Sequence, residues 1–166
     1  MAEVALDRVF REEWGRVVAS LIGCVIGVDR NVRGKPTGVK TLGLVALGAC
    51  LVTMAASGFS IASVALDSNA SRVIQGVVTG IGFLGAGVIV QNPSTDKVRG
   101  LTTAASIWVT AALGITCGVG AWSVAVAATV LLAILLIGGR ICERSLHRHW
   151  MSRPQEHRER MIEDEE

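Results

Sequence analysis

The chain has no tyrosine, three phenylalanines and three prolines, and only 18% of its residues are charged. Soluble domains average about a quarter charged, so this composition already leans away from them. All three histidines, His147, His149 and His157, fall in the C-terminal tail. No serine, cysteine or histidine is therefore arranged as a nucleophile with its base. Enzyme chemistry is not expected, and no cofactor is implied. The four cysteines, Cys24, Cys50, Cys117 and Cys142, form no C-x-x-C pair, which argues against a disulfide or metal framework. Three of them sit in apolar runs, where cysteine behaves as a small hydrophobe. Cys142 with His147 and His149 reads as part of a solvated tail, and no residue set identifies a metal site. A net charge of +2 is too small to point to nucleic acid. The opening M-A-E-V-A-L-D-R-V-F-R-E-E-W carries both signs of charge and reads as neither signal peptide nor transit sequence.

What the chain has in quantity is apolar sequence in long blocks. Hydrophobic residues make up 51% of it, and the mean hydropathy is +0.50. Uninterrupted runs of this kind predict an integral membrane protein. The expected fold is all-α: a polytopic helix bundle of about five transmembrane helices. The spans are placed near 17–28, 41–58, 73–91, 101–117 and 122–139. An amphipathic lead-in covers residues 1–16, with Trp14 as an interfacial anchor, and residues 140–166 form a charged tail. Gly23-x-x-x-Gly27 gives the first span a face for close contact. An N-terminus outside and a C-terminus inside would put Arg30, Arg33, Lys35, Lys40, Lys97, Arg99 and the tail arginines on the inner side. That is the distribution the positive-inside rule favours.

The third span, V-I-Q-G-V-V-T-G-I-G-F-L-G-A-G-V-I-V, holds Gly76, Gly80, Gly82, Gly85 and Gly87. A helix over Val73–Val90 is roughly 27 Å long, close to the hydrocarbon thickness of a bilayer. Gly76, Gly80 and Gly87 fall on one stripe of it, with Gly82 and Gly85 on the other side. Two bare faces accept two close neighbours, so this segment is expected to be the hub of the bundle. Gly80-x-Gly82-x-x-Gly85 also matches a dinucleotide fingerprint in letters. It lacks the soluble strand–turn–helix setting and the acidic residue some twenty positions on that such a site needs. A broken helix lining a pathway, as in transporters, stays open as an alternative.

In the fourth span Thr103, Ser106, Thr110, Gly114 and Cys117 line one small, weakly polar stripe, expected to face other helices. Ionisable residues near the membrane are few, and charge at such depth marks pairing or function. Asp29 and Arg30 end the first span. Asp67 and Arg72 flank the start of the third, five positions apart, where a cap and ion pair is the plainer reading. A contact with an ion or a partner is the sharper one.

The run Asp67-x-x-x-x-Arg72, then Q-G-V-V-T-G-I-G-F-L-G-A-G-V-I-V (75–90), then V-R-G-L-T-T-A-A-S-I-W-V-T-A-A-L-G-I-T-C-G-V-G (98–120) closely resembles the MgtC/SapB family of bacterial inner-membrane proteins. Within them Thr102, Thr103, Ser106 and Trp108 belong to the signature, with the third-span glycines. L-I-G-C-V-I-G-V-D-R (21–30) resembles a family segment that usually ends Glu-Arg, and K-T-L-G-L-V-A-L-G-A (40–49) one that usually begins with Arg. The resemblance implies a multi-pass protein of the bacterial inner membrane, linked to adaptation to low external Mg²⁺ and, in pathogens, to survival inside host cells. It implies a regulator acting through other membrane proteins, with the F-type ATP synthase as a proposed target; binding to itself in the bilayer, as a homo-oligomer, is a further expectation of the close-contact faces. Longer family members carry a folded cytoplasmic domain after the last span, and residues 140–166 are too few for one. The alternative is a transporter or channel for Mg²⁺ or another cation, with the third helix broken and the Thr103–Thr110 stripe lining the path.

Overall fold

The structure, a computed structural model, describes residues 2–32, 34–35, 37–56, 68–92 and 97–151. Its helices are α1 (Ala2–Asn31), α2 (Val39–Ala56), α3 (Ser68–Gly87), α4 (Leu101–Gly118) and α5 (Trp122–Met151). Among the described residues α2, α4 and the Trp122–Cys142 part of α5 are long and apolar enough to cross a membrane, with mean hydropathies of 1.8, 1.4 and 2.4. The charges Arg16, Asp29 and Arg30 in α1, and charged Arg72 with polar Gln75 in α3, dilute those two helices. The all-α fold expected from the apolar blocks is the fold observed.

Boundaries shift where local chemistry outweighs hydropathy. The lead-in and first span form one continuous helix of 30 residues, roughly 45 Å long; no proline interrupts it, and Gly15 does not break it. The third helix stops at Gly87 rather than running on to 91. Val90–Asn92 then pairs antiparallel with Lys97–Arg99 as strands β1 and β2, in the register Val90↔Arg99, Gln91↔Val98 and Asn92↔Lys97. The sequence reading has a loop here, because three residues per strand are too few to show periodicity. Gly100 then turns the chain into α4 at φ +97°. A Cβ at Gly100 would collide with the Val88 carbonyl, so both the left-handed backbone and the space require glycine. At the other end, the Val119 N–H donates to the Ile115 carbonyl (3.0 Å) and the Gly120 N–H to that of Cys117 (2.9 Å). That tight exit lets α5 begin at Trp122.

The chain divides into two compact units, Met1–Thr129 and Val130–Glu166. In the first, α1, α2 and α4 make the core. Leu42, Cys50, Thr53, Thr110 and Cys117 are its largest fully buried side chains. Its tightness comes from glycines on α1 and α4. A Cβ at Gly23 would lie 2.5 Å from the Leu42 carbonyl oxygen, and one at Gly118 would lie 2.7 Å from that of Cys50. Gly27 meets the Val39 backbone and Gly114 that of Ala46. Helix α1 thus runs antiparallel to α2, and α4 runs parallel to α2. In the second unit the described residues are the rest of α5, without charge through Gly139.

The hub expected at α3 is corrected by these contacts. Helix α3 packs on α4 through Gly85, where a Cβ would sit 3.6 Å from the Ala104 Cβ. Gly76, Gly80, Gly82 and Gly87 have nothing within 4 Å. The glycine pattern that predicts a two-faced hub counts bare surface, and bare surface alone does not say which faces find a neighbour in the same chain.

Candidate functional site

The C-terminal end of α1 meets the N-terminal end of α4 around one guanidinium. Arg30, in the last turn of α1, is 3% exposed. Its Nε donates to Thr37 Oγ1 (3.3 Å), its Nη1 to Ser106 Oγ (2.8 Å) and its Nη2 to Thr103 Oγ1. All three nitrogens therefore have a hydroxyl acceptor, from the loop before α2 and from the first two turns of α4. Thr103 and Ser106 are themselves buried. A buried guanidinium keeps its charge, and each unmet N–H would cost the desolvation of that group. The planar fork suits a ring of acceptors on three segments, which a lysine ammonium would match poorly.

Two local features hold the acceptors in place. Ser106 Oγ donates to the Thr102 carbonyl at 2.7 Å, and Thr110 Oγ1 donates to the Ser106 carbonyl at 2.7 Å. The Ser106 hydroxyl hydrogen is thus committed to the backbone, and its oxygen lone pairs face the arginine. Thr37 adopts φ +87°, an unusual conformation for a β-branched residue that costs on the order of 1–3 kcal/mol. Its bond from Arg30 is the compensation the structure shows.

The stripe predicted on α4 exists and faces inward as expected. Thr103, Ser106, Thr110, Gly114 and Cys117 are all buried. Its lower half is closed by backbone, since Gly114 and Gly118 abut α2. Thr102 is exposed and contributes its carbonyl, while Trp108 is 48% exposed and points outward. Asp29 is half-buried beside Arg30 at the end of α1. Arg72 is exposed near the start of α3, at the far end of that helix from the hairpin. Asp67 lies outside the described residues, as do the other residues of the segment before α3. Arg30, Thr103 and Ser106 are brought together across more than seventy positions. Arg72 does not join them.

Thr37 is the member sequence reasoning missed. A threonine between Pro36 and Gly38 reads as a turn residue, and nothing in its spacing links it to Arg30. Among the described residues no three histidine, cysteine, aspartate or glutamate side chains gather as a set that could hold a metal ion.

A family model described as the MgtC family matches residues 17–145. The chain is 43% identical over 137 residues to protein SrpB of Synechococcus elongatus, covering 77% of this chain and 74% of that one. It is 38% identical to protein MgtC of Salmonella typhimurium, covering 70% of this chain and 47% of that one. Protein MgtC of Brucella abortus is 43% identical, with 69% and 45% covered. The chain thus spans about half the length of these two MgtC proteins. No solved structure matches it significantly.

Proposed function

Because the chain belongs to the MgtC family, we propose that it is a multi-pass protein of the bacterial inner membrane that regulates Mg²⁺ homeostasis and adaptation to low Mg²⁺. On this reading it acts by contact with other membrane proteins and catalyses no reaction. The observation that carries the reading is how the interior polar groups are used. Arg30 donates to Thr37, Thr103 and Ser106, and the stripe on α4 is packed against α2 backbone at Gly114 and Gly118. Mg²⁺ gives up its waters reluctantly and is usually held by carboxylates with several waters retained. An arginine ringed by hydroxyls is a poor match for that chemistry.

The outward side of α3 supports the second half of the reading. Gly76, Gly82 and Gly87 present bare backbone to whatever lies beside the chain. In lipid, helices associate by close packing of such small residues. A partner's helix would pack there, and the F-type ATP synthase, which the family resemblance brings forward, is the first partner to test. The experiment places a photo-crosslinking residue at Phe83, 83% exposed on α3, in cells grown in low Mg²⁺. The expected result is a discrete adduct with a membrane protein, lost together with low-Mg²⁺ growth in Gly76→Leu. Growth that survives with no adduct formed would overturn the reading.

A further inference from the structure

Between α2 and α3 lies a groove of about 470 Å³, lined almost wholly by apolar side chains, among them Leu44, Val45 and Val52 of α2 and Val77, Ile81 and Leu84 of α3. Gly48 on one wall and Gly80 on the other have nothing within 4 Å of where a Cβ would be. Each wall therefore has a position without a side chain that opens onto free space. One of its mouths is basic. Thr41 lines that end, and Lys40, exposed, precedes it. Lys40 stands one helical turn from Leu44, on the same side of α2. Exposed Lys35 and Arg99 belong to the same end of the unit. Gly27 on Val39, Arg30 on Thr103 and Gly85 on Ala104 bring the end of α1, the start of α2, the end of α3 and the start of α4 together there. The first N–H groups of α2 add the positive end of its helix dipole.

We infer that this groove binds an anionic phospholipid of the surrounding bilayer, its acyl chain between α2 and α3 and its phosphate at Lys40. The inference rests on the multi-pass arrangement, which places α2 and α3 in the hydrocarbon and the basic mouth at the headgroups. Three observations select this occupant. The groove offers an acyl chain apolar contact and no polar group to satisfy along its length. The bare backbone at Gly48 and Gly80 admits a thin chain without displacing a side chain. Lys40, Lys35 and Arg99 outnumber Asp29 among the described charges at that end, so its net charge is opposite to that of an anionic headgroup, and the topology that the positive-inside rule favours would set it at the cytoplasmic leaflet. Basic pockets between membrane helices on that side bind such headgroups, and lysine reaches them by extending its stem along the apolar surface.

The test uses the full chain reconstituted in nanodiscs of phosphatidylcholine containing a minor fraction of phosphatidylglycerol. Lipid that stays with the protein on release into detergent is identified by native mass spectrometry. The expected wild-type result is retained phosphatidylglycerol enriched at least about fivefold over its share of the disc. Lys40→Glu should lower that enrichment to about one while leaving the total lipid retained. Gly48→Leu with Gly80→Leu fills the groove from positions where the chain has open space, so the variant should fold and retain neither lipid. Wild-type retention in proportion to the mixture, or variants that retain lipid as the wild type does, would overturn the inference. A wild-type ion containing two protein copies, converted to one by the double leucine variant, would overturn it in favour of a second copy in the groove. Failure of the wild type to enter nanodiscs at all would instead count against the multi-pass reading on which the inference rests.

Discussion

Helices α1 and α3 both carry spaced glycines in apolar sequence, and the structure uses them in opposite ways. On α1, Gly23 and Gly27 are pressed against the backbone of α2. On α3, a Cβ added at Gly76, Gly80, Gly82 or Gly87 would meet nothing within 4 Å. A glycine inside a helix costs about 0.5–1 kcal/mol relative to alanine, and on α1 close packing offsets that cost within the molecule. On α3 only Gly85 has an intrachain neighbour. The comparison teaches that a small-residue motif marks a potential for close approach, and that the partner's location is a separate fact. On α1 the partner is the same chain; on α3 it is proposed to be a bilayer component.

The comparison breaks most sharply at the core glycines. Gly23→Leu or Gly118→Leu forces side chain into backbone at 2.5–2.7 Å, and the expected loss is at least about 3 kcal/mol. Thermal unfolding in detergent should show the midpoint collapse or the chain fail to accumulate. Next in size is the arginine clamp. Arg30→Met removes three hydrogen bonds from a charged donor, each of which is worth about 1.5–3 kcal/mol at most. Because the Ser106 hydroxyl keeps its backbone acceptor, a net loss of about 2–3 kcal/mol is expected from the same measurement. Arg30→Lys should recover less than half of it, since one ammonium cannot span acceptors on three segments.

Ser106→Ala is the smaller test of the clamp. It removes one acceptor from a buried guanidinium and one bond to the Thr102 carbonyl, and should cost about 1–2 kcal/mol. Equal stability of Ser106→Ala and wild type would show that the clamp is not energetically engaged. Smallest of all are Gly76→Ala and Gly82→Ala. With nothing within 4 Å, they should leave the purified chain unchanged or raise its stability by up to about 1 kcal/mol. If they destabilise it as Gly23→Leu is expected to, the contrast between the two helices is wrong.

Much of the fold was legible because hydropathy and charge act locally. Five apolar blocks between charged loops are enough to place five helices, and the inward stripe of α4 follows from spacing alone. The continuous α1 was harder, since the charges before Trp14 look like a boundary when the backbone has no reason to break there. The β1–β2 pair was invisible because its strands are too short to show a period. The candidate site was half legible. Arg30, Thr103 and Ser106 stand out as a charge and small polar residues in apolar surroundings. Their meeting with one another and with Thr37 depends on how α1 docks against α4, which no single helix encodes. The α3 glycines are a different case: a Cβ at four of the five would meet nothing within 4 Å, and spacing alone does not say what lies beside them.

The central claim is that the polar interior of the bundle is structural and carries no ion. Its most direct test is Mg²⁺ uptake into proteoliposomes containing the purified chain, followed with an entrapped Mg²⁺ indicator under an imposed gradient. The account predicts uptake no faster than in protein-free liposomes, for wild type and for Thr110→Val alike. Saturable uptake by the wild type, abolished by Thr110→Val in a variant that remains folded, would contradict it and make the stripe on α4 a pathway.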